Sequence, residues 1–155
     1  MQNSKYHSIQ ILVAAGGLTT LVNFIDEDFE ENIDCIMLTL DAFVSMFQSE
    51  WFYVADLTMM LLKLGVLERM VLIIDYLRNT HQRPQNIYFD RMLDLLITFS
   101  SNDTYCIKEK FSNSDIMKAI FTILNSPSDI HKIHINKMIQ IIKNVSVNEI
   151  KNKLD

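Results

Sequence analysis

Gly16-Gly17-Leu18-Thr19-Thr20-Leu21-Val22-Asn23-Phe24-Ile25-Asp26 returns 49 residues later as Gly65-Val66-Leu67-Glu68-Arg69-Met70-Val71-Leu72-Ile73-Ile74-Asp75. In this register Gly16 meets Gly65, Leu18 meets Leu67, Leu21 meets Met70, Val22 meets Val71, Ile25 meets Ile74 and Asp26 meets Asp75. A second shift of 49 brings Gly65 to Ser114, Leu67 to Ile116, Met70 to Ala119, Val71 to Ile120 and Ile74 to Ile123. Each copy spaces its apolar residues at i, i+3, i+4 and i+7, one face of a helix. The glycine or serine just ahead suits a sharp corner between two helices.

Each copy is flanked by two more helical patterns. Helices at roughly Tyr6–Ala15, Glu50–Leu64 and Asn102–Phe111 are expected before the corners. A last helix follows each corner segment. Its apolar face reads Ile36, Leu40, Phe43, Val44, then Phe89, Leu93, Leu96, Ile97, then Ile135, Ile139, Ile142. The joining loops are polar: Asp26–Glu31, Arg78–Gln85 and Asn125–Asp129, with Pro84 and Pro127 near the next helix start. Three helices over about 49 residues fall close to the armadillo and HEAT class. The expected fold is all-α: an armadillo/HEAT-like right-handed superhelix of three stacked repeats, about 1–48, 49–101 and 102–150, in a single domain over 1–155. Such units bury a shared core only by stacking. Ile9, Leu12 and Val13 at the front, and Ile141, Val145 and Val147 at the back, are expected to be open to a further repeat, making the chain a piece of a longer array.

Composition agrees. Three glycines and two prolines in 155 residues leave few turns for a sheet-rich fold. Cys35 and Cys106 sit in apolar helical patterns and are expected to be buried thiols in a reducing compartment. No signal peptide or membrane span is expected, because residues 1–10 are polar and the apolar run Val54–Leu67 carries Asp56 and Lys63. Residues 1–77 carry a net charge of -8 and residues 78–155 a net +3. That balance argues against nucleic acid as a partner and gives a polarity that can orient a charged one.

The motifs of catalysis are missing. Gly16-Gly17 lacks the spacing of a phosphate-cradling loop. Asp26–Glu31 lacks the glycine and spaced oxygens of a calcium loop. His131 and His134 share a helix face with Asp129 nearby, short of a zinc ligand set. His7 and His81 accompany no nucleophile signature. Neither an enzyme nor a cofactor or metal is expected. The residues best suited to a partner are Arg83, Arg91, His134, Lys137 and Asn144. They can grip an acidic or phosphorylated segment by charge-assisted bonds. Lys137, His134 and Asn144 are placed on the face opposite the Ile135–Ile139–Ile142 stripe. Trp51-Phe52-Tyr53 adds a candidate anchor in Trp51, since three consecutive aromatics cannot all face one core. Trp51 is followed four residues on by Ala55, so the Trp-x-x-x-Asn ladder of nuclear-signal binders is absent.

The run Ala15–Ile25, the acidic loop, Leu38-Thr39-Leu40-Asp41-Ala42-Phe43 and Leu61-Leu62-Lys63-Leu64-Gly65-Val66-Leu67-Glu68-Arg69 occur in an order with a counterpart. So do Lys108-Glu109-Lys110-Phe111 and His134–Ser146. Together they resemble the non-catalytic C-terminal region of fungal septation-initiation and mitotic-exit kinases and their plant MAP3K-epsilon relatives. Leu64 stands where that family has an asparagine. The kinase motifs themselves are absent: no Gly-rich loop, Val-Ala-Ile-Lys, His-Arg-Asp or Asp-Phe-Gly. The resemblance implies a cytoplasmic targeting module, acting at the spindle pole body on a protein scaffold. The alternative reading is a structural segment of an unrelated scaffold, self-associating through its repeat ends.

Overall fold

The structure is a computed structural model, and it describes residues 7, 10–13, 15–25, 28–79, 85–125 and 132–154. Among the described residues every regular element is a helix. After a helical stretch at 10–13 come α1 (Gly17–Asn23), α2 (Phe29–Gln48), α3 (Val54–Lys63), α4 (Val66–Asn79), α5 (Gln85–Ser100), α6 (Tyr105–Ser112), α7 (Asp115–Leu124) and α8 (Lys132–Leu154). The order is one short helix, a corner, a second helix and a longer third, three times over. Residues 16, 65 and 114 each stand immediately before the second helix. The chain forms two compact units, Met1–Arg69 and Met70–Asp155, divided within α4.

In the first unit both corners use left-handed backbone. Gly16 has φ 69° and Gly65 φ 82°, values that cost an L side chain about 1–2 kcal/mol. At the first corner the neighbouring Gly17 also lacks room. A Cβ there would stand 2.7 Å from the Leu12 Cδ1, so the 10–13 helix passes directly against it. At the second corner the Arg69 guanidinium reaches back from the first turn of α4 and donates to the Leu64 carbonyl. Asp56 in the first turn of α3 and Lys63 in its last complement the helix dipole. Leu18, Val22, Ile36, Leu40, Phe43, Leu57 and Leu61 bury their side chains. The spacing Ile36–Leu40–Phe43 is the stripe expected for the first long helix.

The second unit turns its corner differently. Ser114 is extended, with φ −81° and ψ 155°, a conformation any residue adopts. Its hydroxyl donates to the Phe111 carbonyl. The core draws on Met70, Ile73, Ile74 and Leu77 of α4 and on Met92, Leu93, Leu95, Leu96 and Phe99 of α5. Helix α6 packs against α5, α7 and α8, and α5 and α8 share the largest interface. Burying each large apolar side chain contributes about 1.5–3 kcal/mol.

Several expectations need correction. Helix α3 begins at Val54 and not near Glu50, because the Ser49 hydroxyl accepts the Trp51 N–H at 3.1 Å and holds a turn there. Helix α6 begins at Tyr105 and not at Asn102, because the Asn102 side-chain oxygen accepts the Thr104 N–H at 2.9 Å. Short polar side chains compete with helix starts in this way. Helix α2 begins at Phe29, within the segment expected to be a loop. Cys35 and Cys106 are exposed free thiols, since Ile36 and Ile107 take the neighbouring buried positions. Ile141 and Val145 are buried inside the second unit and not open to a further repeat. The Val147 side chain lies outside the description, as do Ile9, Pro84 and Pro127. At the front, Leu12 is half-buried and Val13 exposed.

Candidate functional site

On helix α8 the structure buries a different stripe from the expected Ile135–Ile139–Ile142. His134, Met138, Ile141 and Val145 face inward. Ile139 is 39% exposed, while Ile135 and Ile142 are half-buried. The candidate residues His134, Lys137 and Asn144 therefore line a seam against α5. Either stripe satisfies helical spacing. What tips the balance is that α5 supplies polar partners for the polar members of the inner one.

The seam begins at Asp90. Its Oδ1 accepts from the Lys137 Nζ at 2.7 Å and stands 3.5 Å from the His134 Nε2. The Lys137 Nζ also stands 2.7 Å from the Asp94 Oδ1. The buried His134 ring meets Phe89 edge to face, with centroids 5.2 Å apart and an interplanar angle of 83°. Burial of the ammonium works against its charge. The hydrogen bonds to Asp90 and Asp94, with their negative charge, outweigh that and raise the Lys137 pKa above its ordinary 10.5.

Further along, the Asn144 Nδ2 donates to the Ser100 Oγ at 3.1 Å, and the Gln140 Nε2 donates to the Asn144 Oδ1 at 2.7 Å. Lys108, a buried lysine of α6, donates from Nζ to the Asn144 carbonyl at 2.9 Å and stands 3.6 Å from the Asp103 Oδ1. Among the described residues no buried side-chain nitrogen or oxygen lacks a hydrogen bond. Contacts advance together along the two helices, from Asp90 with Lys137 to Ser100 with Asn144. Helices α5 and α8 are therefore parallel neighbours.

The other candidates lie apart from the seam. Arg91 is exposed on α5. Arg83, His81, His131 and Asp129 lie outside the described residues. Trp51 belongs to the first unit and is 63% exposed in the turn ahead of α3, with Phe52 and Tyr53 half-buried beside it in sequence. Asp90, Asp94, Ser100 and Lys108 did not stand out by sequence pattern alone. The signal for the first two was available: carboxylates at i and i+4 on one long helix, with a lysine nearly one repeat further on. Among the described residues no three His, Cys, Asp or Glu side chains cluster as metal ligands, and no helix is long and apolar enough to cross a membrane.

Comparison with known proteins gives one set of relatives. Over 148 residues the chain is 23% identical to "Cytokinesis protein sepH" of Emericella nidulans, and equally to the proteins of that name in Aspergillus terreus and Aspergillus niger. The alignment covers 95% of the chain but 11% of each relative, so the chain spans about a ninth of their length. No family model and no solved structure matches it.

Proposed function

We propose that this chain is a non-catalytic protein-interaction segment, built as a stack of three armadillo-like repeats. In this reading it belongs to a septation-initiation or mitotic-exit type Ser/Thr kinase and docks it on a scaffold at the spindle pole. The observation that carries the reading is the alignment with a cytokinesis protein along 95% of the chain. The repeated helix order supports the stack. So does the parallel pairing of α5 with α8, since solenoids set corresponding helices side by side by translation. Catalysis in this proposal belongs to a kinase domain elsewhere in the protein.

The seam limits how a partner is held. Lys137 is already shared by two carboxylates, so gripping a phosphate with it means breaking two short ion pairs. Exposed Trp51 is the better contact. A large aromatic anchor contributes strongly once a partner covers it. The test is a binding titration against phosphorylated and unphosphorylated segments of a spindle-pole scaffold, at low and high salt. Saturable binding that Trp51→Ala weakens about tenfold is expected. Absence of binding in both forms removes the scaffold-docking role.

A further inference from the structure

The turn from α2 into α3 and the turn from α5 into α6 are held alike. In each a short polar side chain accepts an N–H two residues on: Ser49 takes that of Trp51, and Asn102 that of Thr104. They differ in charge. In the later turn the Asp103 carboxylate is answered from within the chain, 3.6 Å from the Lys108 Nζ. In the earlier one Glu50 and Asp56 are exposed. Among the described residues neither carboxylate has an ion pair or a side-chain hydrogen bond. Between them in sequence stand Trp51, 63% exposed, and Val54, 41% exposed. The first unit holds ten acidic residues against three basic ones. Of those three, Lys5 lies outside the described residues, Lys63 ends α3, and Arg69 donates to the Leu64 carbonyl.

An exposed indole between two unanswered carboxylates is matched by one kind of group. A guanidinium lies flat on an indole face, drawn by the ring quadrupole, and its outward N–H groups pair with carboxylates. A phosphate or carboxylate at the same place would meet like charge. The turn has α2 before it and α3 after it in the same unit, so its exposure is not that of an unfinished stack end. We infer that the turn over 50–54 is a docking point for a basic segment of a partner protein, whose arginine stacks on Trp51 and pairs with Glu50 and Asp56. The inference rests on the reading of the chain as an interaction module and names the chemistry of what it binds. At this place it reverses the expected charge of the partner, since an acidic or phosphorylated segment finds no match beside Trp51.

The test uses the whole 155-residue chain, whose one tryptophan makes indole fluorescence a direct reading of the site. Four short peptides share one leucine-containing frame and carry arginine, lysine, glutamine or phosphoserine at the same two positions. The arginine peptide is expected to shift the emission saturably, and to bind more weakly as salt rises. The lysine peptide is expected to bind about threefold more weakly, since an ammonium does not stack. The glutamine and phosphoserine peptides are expected to give no saturable shift. Glu50→Gln together with Asp56→Asn is expected to weaken the arginine peptide about tenfold. Both positions are exposed, and an unchanged circular dichroism spectrum checks that the variant folds.

No saturable shift with the arginine peptide overturns the inference. So does equal binding by the lysine or glutamine peptide, tighter binding by the phosphoserine peptide, or an affinity that the double variant leaves unchanged. A dimer in light scattering that Trp51→Ala converts to monomer assigns the turn to a second copy and overturns it as well. Scaffold-segment binding that Trp51→Ala weakens, with no arginine peptide bound, sinks this inference and leaves the docking role standing. Arginine-peptide binding with no scaffold segment bound upholds this inference and removes the scaffold role.

Discussion

The first unit and the second turn the chain at the same point of the repeat by different means. At Gly16 and Gly65 the backbone itself makes the corner in the left-handed region. At Ser114 the backbone stays extended and a hydroxyl bond to Phe111 supports the turn. The second unit instead places a partly buried polar seam between long helices, from Asp90 to Asn144. One repeat plan thus tolerates two ways of fixing geometry. Glycine corners act locally, within a few residues. The seam acts between residues nearly a whole repeat apart, and sets which face of α8 turns inward.

The largest test asks whether the two units share one kind of core. Phe43 and Phe99 are each fully buried in their own unit. Replacing either by alanine should cost about 3–5 kcal/mol in chemical denaturation. A small loss at one site alone would mean that its unit is loosely packed.

The next test separates the corners. Gly65→Ala forces a side chain into φ 82°, with its Cβ 3.1 Å from the Arg69 Nη1. It should destabilise by about 1–2 kcal/mol. Ser114→Ala keeps an allowed backbone and loses one partly buried hydrogen bond, about 0.5–1.5 kcal/mol. A larger loss at Ser114 than at Gly65 would erase the distinction.

The seam gives the smaller effects. A double-mutant cycle on Asp90→Asn and Lys137→Met should return a coupling of about 0.5–1 kcal/mol, reduced by partial exposure of both side chains. The pH dependence has a defined sign. Lys137 has a folded-state pKa raised above 10.5. Its contribution is therefore fully present below that ordinary value and fades only as pH rises through the raised one. The stability difference between the native chain and Lys137→Met should stay flat from about pH 6 to about pH 9 and shrink above 10.5. Shrinkage at neutral pH would place the titration on another group.

Much of the fold was legible because its determinants are local. The glycine at 16 and 65, the serine at 114 and the i, i+3, i+4, i+7 spacing after each are properties of short windows. The inner face of α8 was not legible. Its two stripes are equally regular, and the choice depends on Asp90, Asp94 and Phe89, which meet it only after the chain has passed through two more helices. Helix starts at Val54 and Tyr105 escaped for the opposite reason. They depend on single side-chain bonds, from Ser49 and Asn102, too small to register in any periodic pattern. Trp51 could be picked out as an odd aromatic, because exposure was the remaining option for one member of a run of three.

The parallel setting of α5 and α8 also has an electrostatic side. Each helix carries about half a positive charge at its N-terminus and half a negative charge at its C-terminus. Antiparallel neighbours let these fields cancel, whereas parallel neighbours put like ends together. The backbones of α5 and α8 therefore repel slightly at both edges of the pair, and side chains must offset it. Asp90 and Asp94 do so inside the pair, through their ion pairs to Lys137. The cost of a parallel pair thus falls on the polar contacts of the seam, which hold together two backbones whose like ends lie on the same side.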